Sequence, residues 1–219
     1  MDYILEIKEL SKEVYRLGLM VDGMRDGREE QFNLPAKMSE VSQFERDMCV
    51  RLPEPLVRYL TELGNGGPGP YYGIYSLERM RECNTPDSTH LPPMLDHAHS
   101  DKEWLELGKR YVLLDEMIDE LWYENKDNYR TNAAPLEEEM KKIITRITAG
   151  GIFINTPGCT MNTILMCRGD AAGEVFTLDF DYMDQLHEEP CCGGKFEEWI
   201  INDMKKRISK YKNDRKPLI

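Results

Sequence analysis

Several features that define common protein classes are missing or rare in this 219-residue chain. No stretch approaches the roughly 20 consecutive apolar residues that a membrane-spanning helix needs. The first residues, Met1–Glu9, are acidic and lack the apolar run of a secretory signal. The six cysteines include no CxxC pair, so we expect reduced thiols in a cytoplasmic protein and no disulfide framework.

Basic residues are also in deficit. The chain has 28 Lys and Arg against 40 Asp and Glu, which gives a net charge of −12. Proteins that bind nucleic acid or anionic membranes need an excess of Lys and Arg to replace counterions. We therefore expect neither kind of partner, and a basic protein as the more plausible one.

Residues that bind metals are few and poorly spaced. Cys83, His90, His97 and His99 lie within 17 residues, but structural zinc sites use two close ligand pairs, and only His97 and His99 are close. A second and weaker cluster combines His187 with Cys191 and Cys192. We therefore expect these histidines on a surface loop, with no metal and no cofactor.

Motifs for nucleophilic catalysis are equally weak. No G-x-S-x-G motif is present, and Cys159 has no histidine near it in sequence. The simplest interpretation of Cys159 is a small buried residue at the start of a strand. A Cys159 hydrolase that recruits His187 or His90 from a distance remains an alternative, but the chain as a whole is expected to be no enzyme.

The N-terminal third predicts three helices before any strand. Residues 3 to 20 carry an apolar stripe that ends near Gly18, and a second helix follows Pro35 with Ser39 as its N-cap. Pro55 to Leu63 forms the third helix, with Gly64 as a left-handed stop. The glycine-rich segment from 64 to 73 then predicts a tight turn that delivers Tyr71, Tyr72, Ile74 and Tyr75 to the core.

The rest of the chain predicts strands and further helices. Residues 84 to 110 look like a long excursion with a short helix near Trp104 to Leu107, and a basic last helix or tail covers 205 to 219. The other expected elements are a strand at Tyr111–Leu114, a helix at Leu136–Ala149, and strands at Ile152–Asn155, Thr163–Cys167 and Glu174–Phe180. Segregated helices and strands favour an α+β fold with an antiparallel sheet.

Acidic side chains concentrate in two segments. Between Asp170 and Asp203 ten acidic residues accompany only Lys195, and between Asp115 and Asp127 six surround an aromatic pair. Acidic charge beside exposed aromatics suits an interface with a basic protein, although a solvated acidic surface is an equal alternative. The partner-binding residues predicted on this basis are Asp115, Glu116, Asp119, Glu120, Trp122, Asp179, Asp181, Asp184, Glu188 and Glu189.

Two blocks of the sequence resemble the SUKH superfamily of the SMI/KNR type. The first runs from Phe44 through the Leu52-Pro53 step and the GNGG loop to GPYYG and Ile74. The second comprises Gly151–Ile154, Gly158-Cys159, Ile164–Met166, Gly169, Gly173–Phe176 and Phe196–Ile200. Together they span residues 36 to 204, with Thr160 as a departure where the family usually has a small residue.

The resemblance implies a single α+β domain over residues 1–219, in which N-terminal helices precede a curved antiparallel sheet flanked by helices. Residues 1–35 would then be a helical extension. Bacterial members of the family are immunity proteins that neutralise a secreted polymorphic toxin, and fungal members regulate cell-wall assembly as interaction hubs. The expected function is therefore a non-catalytic immunity protein that binds a basic toxin domain such as a nuclease, with a regulatory scaffold of the same fold as the alternative.

Overall fold

A computed structural model of the protein describes residues 2–19, 32–84, 86, 102–124, 128–158, 161–180 and 191–214. Within these ranges the helices are α1 (Tyr3–Arg16), α2 (Met38–Asp47), α3 (Glu54–Arg58), α4 (Leu77–Cys83), α5 (Lys102–Glu124), α6 (Tyr129–Ile147) and α7 (Phe196–Asp214). A single π-helical turn, Tyr59–Leu63, extends α3. The strands are β1 (Gly151–Gly158), β2 (Met161–Met166), β3 (Glu174–Asp179) and β4 (Cys191–Lys195). The fold is α+β, which confirms the predicted class.

The four strands form one antiparallel sheet in the order β1-β2-β3-β4. Phe153 lies opposite Ile164, which in turn lies opposite Phe176, and Phe176 lies opposite Cys192. Since each strand pairs with the next one along the chain, the sheet is a meander whose edges are β1 and β4.

Helices cover both faces of this sheet. One face presents apolar side chains to a core shared with α1 to α4 and α7, namely Ile152, Ile154, Leu165 and Val175. The opposite face presents Ile164, Met166, Phe176 and Leu178 to a second core with α5 and α6. Because successive side chains of a strand point to opposite faces, burial of both faces requires the nearly continuous apolar runs seen in β2 and β3.

The N-terminal and C-terminal helices pack on each other. The predicted apolar stripe of α1 is buried at Ile4, Ile7 and Val14. The basic half of α7 faces acidic residues of α1, since Lys205 Nζ lies 2.6 Å from a Glu6 carboxylate oxygen and Lys212 Nζ lies 3.3 Å from one of Glu13. Part of the basic C-terminal segment therefore balances charge within the molecule.

Helix α4 and its flanking residues cover the β1 edge. The backbone N–H of Tyr75 donates to the Ile154 carbonyl at 2.9 Å. At the other end of α4, the Asn84 side chain accepts from the N–H of Phe153 at 2.8 Å and donates to its carbonyl at 3.2 Å. These bonds satisfy backbone groups that an open sheet edge would leave exposed for pairing with another chain.

One predicted strand is wrong. Tyr111–Leu114 lies in the middle of α5, so the strand predicted before the helix at 136–149 is absent, and six of the helices in the described ranges precede β1. A run of four apolar residues fits a buried strand and a buried helix equally well. The deciding signal lies outside that run, because Trp104, Leu107, Tyr111, Leu114 and Ile118 recur at helical spacing.

The glycine-rich turn differs from expectation in its details. Gly64 ends the π-helical turn with a φ of 177°, which is extended and not left-handed. Glycine is required at position 64 for a steric reason, because a Cβ there would lie only 2.7 Å from Phe32 Cβ. Ile74 is buried and Tyr75 packs on the core as predicted, but Tyr71 and Tyr72 are exposed.

Two helix boundaries also differ. Helix α2 begins at Met38 with Lys37 as its N-cap instead of Ser39, and the Glu40 carboxylate accepts from the Lys37 N–H at 2.6 Å. Helix α6 begins seven residues before the predicted Leu136, which places Glu137, Glu138 and Glu139 in its interior and away from the helix start. Among the described helices, none is long and apolar enough to span a bilayer.

Candidate functional site

Helices α5 and α6 form an antiparallel hairpin on one face of the sheet. Arg110 Nε lies 2.8 Å from a carboxylate oxygen of Glu139, and Arg146 Nε lies 2.8 Å from one of Glu103. These pairs are partly exposed, so each contributes at most about 1 kcal/mol to stability. Their importance is positional, because two pairs separated by about two helical turns fix the register of the hairpin.

Near its turn, the hairpin is closed by an aromatic contact. The rings of Trp122 and Tyr129 meet edge to face with centroids 5.0 Å apart. Farther along α5, the buried side chains of Trp104 and Leu114 join the core with the sheet. The inner side of α5 is thus anchored along its length, which holds the outer side in a defined position.

The exposed side chains in the last three turns of α5 combine apolar and acidic residues. We call the α5 face the set Leu113, Glu116, Met117, Asp119, Glu120, Trp122 and Tyr123; of these, Trp122 also packs on Tyr129 within the hairpin. Tyr123 is 79% exposed and Trp122 48%, while Leu113 and Met117, one turn apart, are 46% and 39% exposed. Single exposed apolar residues are ordinary, but four on the last three turns of one helix form a surface suited to contact with a partner.

The charge of the α5 face is unusually one-sided. Between Arg110 and the end of α5 the sequence holds five acidic residues and no basic one. Asp115 with Asp119 and Glu116 with Glu120 are like-charge pairs four residues apart, an arrangement that destabilises a helix by a few tenths of a kcal/mol per pair. Within the described part of the chain, Glu116, Asp119 and Glu120 form no ion pair. This face therefore carries charge that does not support the helix itself.

The second predicted acidic segment is only partly described. Asp179 is the last residue of β3 and is half-buried, while Asp181, Asp184, Glu188 and Glu189 lie outside the described residues. The next residue, Phe180, packs on Tyr111 of α5 with ring centroids 5.3 Å apart. Tyr111 lies one helical turn before Asp115. The contact between Phe180 and Tyr111 therefore brings the end of β3 close to the start of the acidic part of α5.

The candidate metal and nucleophile residues lie mostly outside the described ranges, including Cys159, His187 and the three histidines from 90 to 99. Among the described residues, no three His, Cys, Asp or Glu side chains are close enough to hold a metal ion. Cys49, Cys83 and Cys167 form no disulfide.

Burial disfavours thiolate formation at two cysteines. It raises the pKa of the Cys83 thiol, with Glu82 adding to the effect and Arg79 opposing it. It also raises the pKa of the partly buried Cys167 thiol well above its usual range. Reactive cysteines have lowered pKa values, so neither thiol has the electrostatics of a nucleophile.

Sequence reasoning missed two features of this region. Leu113 and Met117 were not singled out, because the strand prediction for residues 111 to 114 placed Leu113 in the core. A cleft of about 480 Å³ between α4, the hairpin and the sheet was also missed. Its lining comes from segments far apart in sequence, and only Cys83 had been singled out among them.

Comparisons of this chain with protein-family models, with curated proteins and with solved structures each find no match. The family resemblance therefore stays a prediction.

Proposed function

We propose that this chain is a non-catalytic immunity protein that binds a basic toxin domain in the cytoplasm and neutralises it. The observation that carries the proposal is the α5 face, where exposed apolar and aromatic side chains stand among carboxylates that pair with nothing in the described structure. The resemblance described above supplies the class of partner. The α5 face supplies the chemistry that such a partner would meet.

The arrangement of the α5 face suits a protein partner. Tyr123 and Trp122 offer large apolar area with few rotatable bonds, as interface anchors do. Glu116, Asp119 and Glu120 lie within about two turns of these anchors on the same helix and carry charge of one sign, which accelerates encounter with a basic surface and disfavours acidic ones. The hairpin presents both on a supported helix, so little ordering is needed on binding.

The first experiment mixes the protein with the toxin domain encoded by the neighbouring gene and measures complex formation and protection of cells that express that domain. We expect a stable complex and full protection. The absence of both a complex and protection would contradict the proposal. A complex with several unrelated cellular proteins and no toxin gene nearby would favour the regulatory scaffold instead.

The second experiment locates the contact with a matched pair of variants. Glu116→Lys with Glu120→Lys reverses the α5 face, and Glu137→Lys with Glu138→Lys makes the same change on an exposed part of α6. Each Glu→Lys change adds two charges, so both variants have a net charge of −8 instead of −12. We expect the first to weaken binding at least about tenfold and the second to have a much smaller effect. Equal losses of affinity in the two variants would mean that binding depends on the net charge and not on contact with the α5 face.

A further inference from the structure

The cleft between α4, the hairpin and the sheet has the size of a small-molecule site. Its volume of about 480 Å³ falls within the range of about 300 to 1,000 Å³ that is usual for ligand pockets. Its lining residues come from the end of α4, from α5 and α6, and from strands β1 and β2, with Phe180 just after β3. Such junctions of several elements are where ligand sites usually form.

The walls of the cleft favour a flat aromatic molecule. Tyr111, Phe153 and Phe180 line it, and the Tyr111 and Phe180 rings are tilted by 35° to each other. Ile144 adds an aliphatic surface to the lining. Aromatic rings gain about 0.5–1.5 kcal/mol from offset or edge-to-face contacts beyond the effect of buried area, so a planar ring is better accommodated here than a flexible chain.

The polar groups of the cleft favour an anion. Among the described lining residues, Glu82 and Lys141 carry charged side chains, and Glu82 is already paired with Arg79 at 2.8 Å. Within the described residues Lys141 takes part in no ion pair. The hydroxyl hydrogens of Thr145 and Thr148 are committed to backbone carbonyls at 2.8 Å, so they offer no hydrogen to a ligand. Within the described lining, the charged donor without an ion-pair partner is therefore the ammonium group of exposed Lys141.

We propose that this cleft binds a small aromatic carboxylate, with its ring against the aromatic side chains of the wall and its carboxylate on the Lys141 ammonium group. This site is separate from the α5 face and does not depend on the immunity function. Cys83 lies in the lining and reports on occupancy, because a bound ligand shields its thiol. Exposed Cys49 provides an internal comparison on the same molecule.

The test titrates the full chain with 2-naphthoate and with neutral 2-naphthalenemethanol by calorimetry. We expect 2-naphthoate to bind and the alcohol to bind about tenfold or more weakly, since hydrogen bonds to charged groups are the stronger kind. Lys141→Ala should remove that difference. Lys142→Ala, the adjacent exposed lysine outside the lining, should retain it.

Alkylation of the cysteines shows where the ligand binds. The ligand should slow modification of Cys83 by N-ethylmaleimide, measured by peptide mass spectrometry, and leave Cys49 unaffected. The absence of 2-naphthoate binding at millimolar concentration would overturn the proposal. Equal loss in the two lysine variants, or binding without protection of Cys83, would overturn it as well, because the carboxylate would then bind elsewhere.

Discussion

At the scale of single residues, Asn155 links the glycine-rich loop to the sheet. Its side chain is fully buried, and its amide nitrogen donates to the carbonyl of Pro70 at 2.8 Å and to that of Gly73. Its amide oxygen accepts from the Thr163 hydroxyl at 3.2 Å. The Pro70 carbonyl also accepts from the Gly73 N–H at 2.9 Å, whereas for the buried Gly73 carbonyl the described structure offers no donor besides Asn155.

Asn155→Ala should lower the free energy of unfolding by about 2–4 kcal/mol, because it leaves the Gly73 carbonyl buried without a donor and removes one of the two hydrogen bonds to the Pro70 carbonyl. Urea unfolding followed by circular dichroism measures this loss. Thr163→Val removes only the hydroxyl on the other side of the same network, so it should cost about 1 kcal/mol. A loss of similar size in both variants would show that the loop does not depend on Asn155.

At the scale of elements, β4 and α7 meet at a contact that only glycine permits. A Cβ at Gly193 would lie 2.5 Å from Trp199 Cδ1, closer than two carbon atoms approach without displacement. Trp199 belongs to the core formed by α7 and the N-terminal helices. The close approach of strand and helix at this edge therefore relies on the missing side chain.

Gly193→Ala should destabilise the protein by about 1–3 kcal/mol through overpacking. In a Trp199→Leu background the same change should cost less, because the indole that it displaces is gone. A double-mutant cycle in urea measures this coupling. Equal costs in the two backgrounds would show that the strain is relieved elsewhere.

The elements also show what the sequence was able to predict. Strands β1 to β3 were predicted because their apolar residues are frequent and β-branched, and α1 because its stripe is regular. Strand β4 carries Cys-Cys-Gly-Gly-Lys, in which the two glycines disfavour a strand, so its conformation depends on pairing with β3 and on the Trp199 contact. The α5 face was half predicted: its acidic residues were identified, but Leu113 was placed in a strand core.

At the scale of the whole molecule, the net charge of −12 and the local charge of the α5 face act over different distances. The Debye length is about 10 Å in 0.1 M salt, so charges that lie farther than this from the partner are largely screened. Groups in direct contact with the partner are screened much less. At low salt, the rate of association with a basic partner therefore depends on every acidic residue of the chain. At high salt, it depends mainly on the acidic residues at the interface.

The salt dependence of association should separate these two contributions. We expect the association rate of the unmodified chain with the proposed basic toxin domain to fall steeply as ionic strength rises. At low salt both −8 variants, at Glu116 and Glu120 and at Glu137 and Glu138, should associate more slowly, since both have lost the same net charge. At high salt the control should recover the unmodified rate, whereas the α5 variant should remain several-fold slower because its lysines face the partner directly. Stopped-flow measurements across the salt range test this.

Asp179→Lys with Asp181→Lys extends the test to the second acidic segment. A deficit that persists at high salt would place the end of β3 at the interface, and full recovery would restrict direct contact to α5. Because Phe180 packs on Tyr111 of the same helix, we expect the deficit to persist, with a smaller size than at Glu116 and Glu120, whose side chains are exposed. Recovery of all three variants at high salt would contradict any acidic contact surface in either segment. The net charge would then act only by steering the encounter.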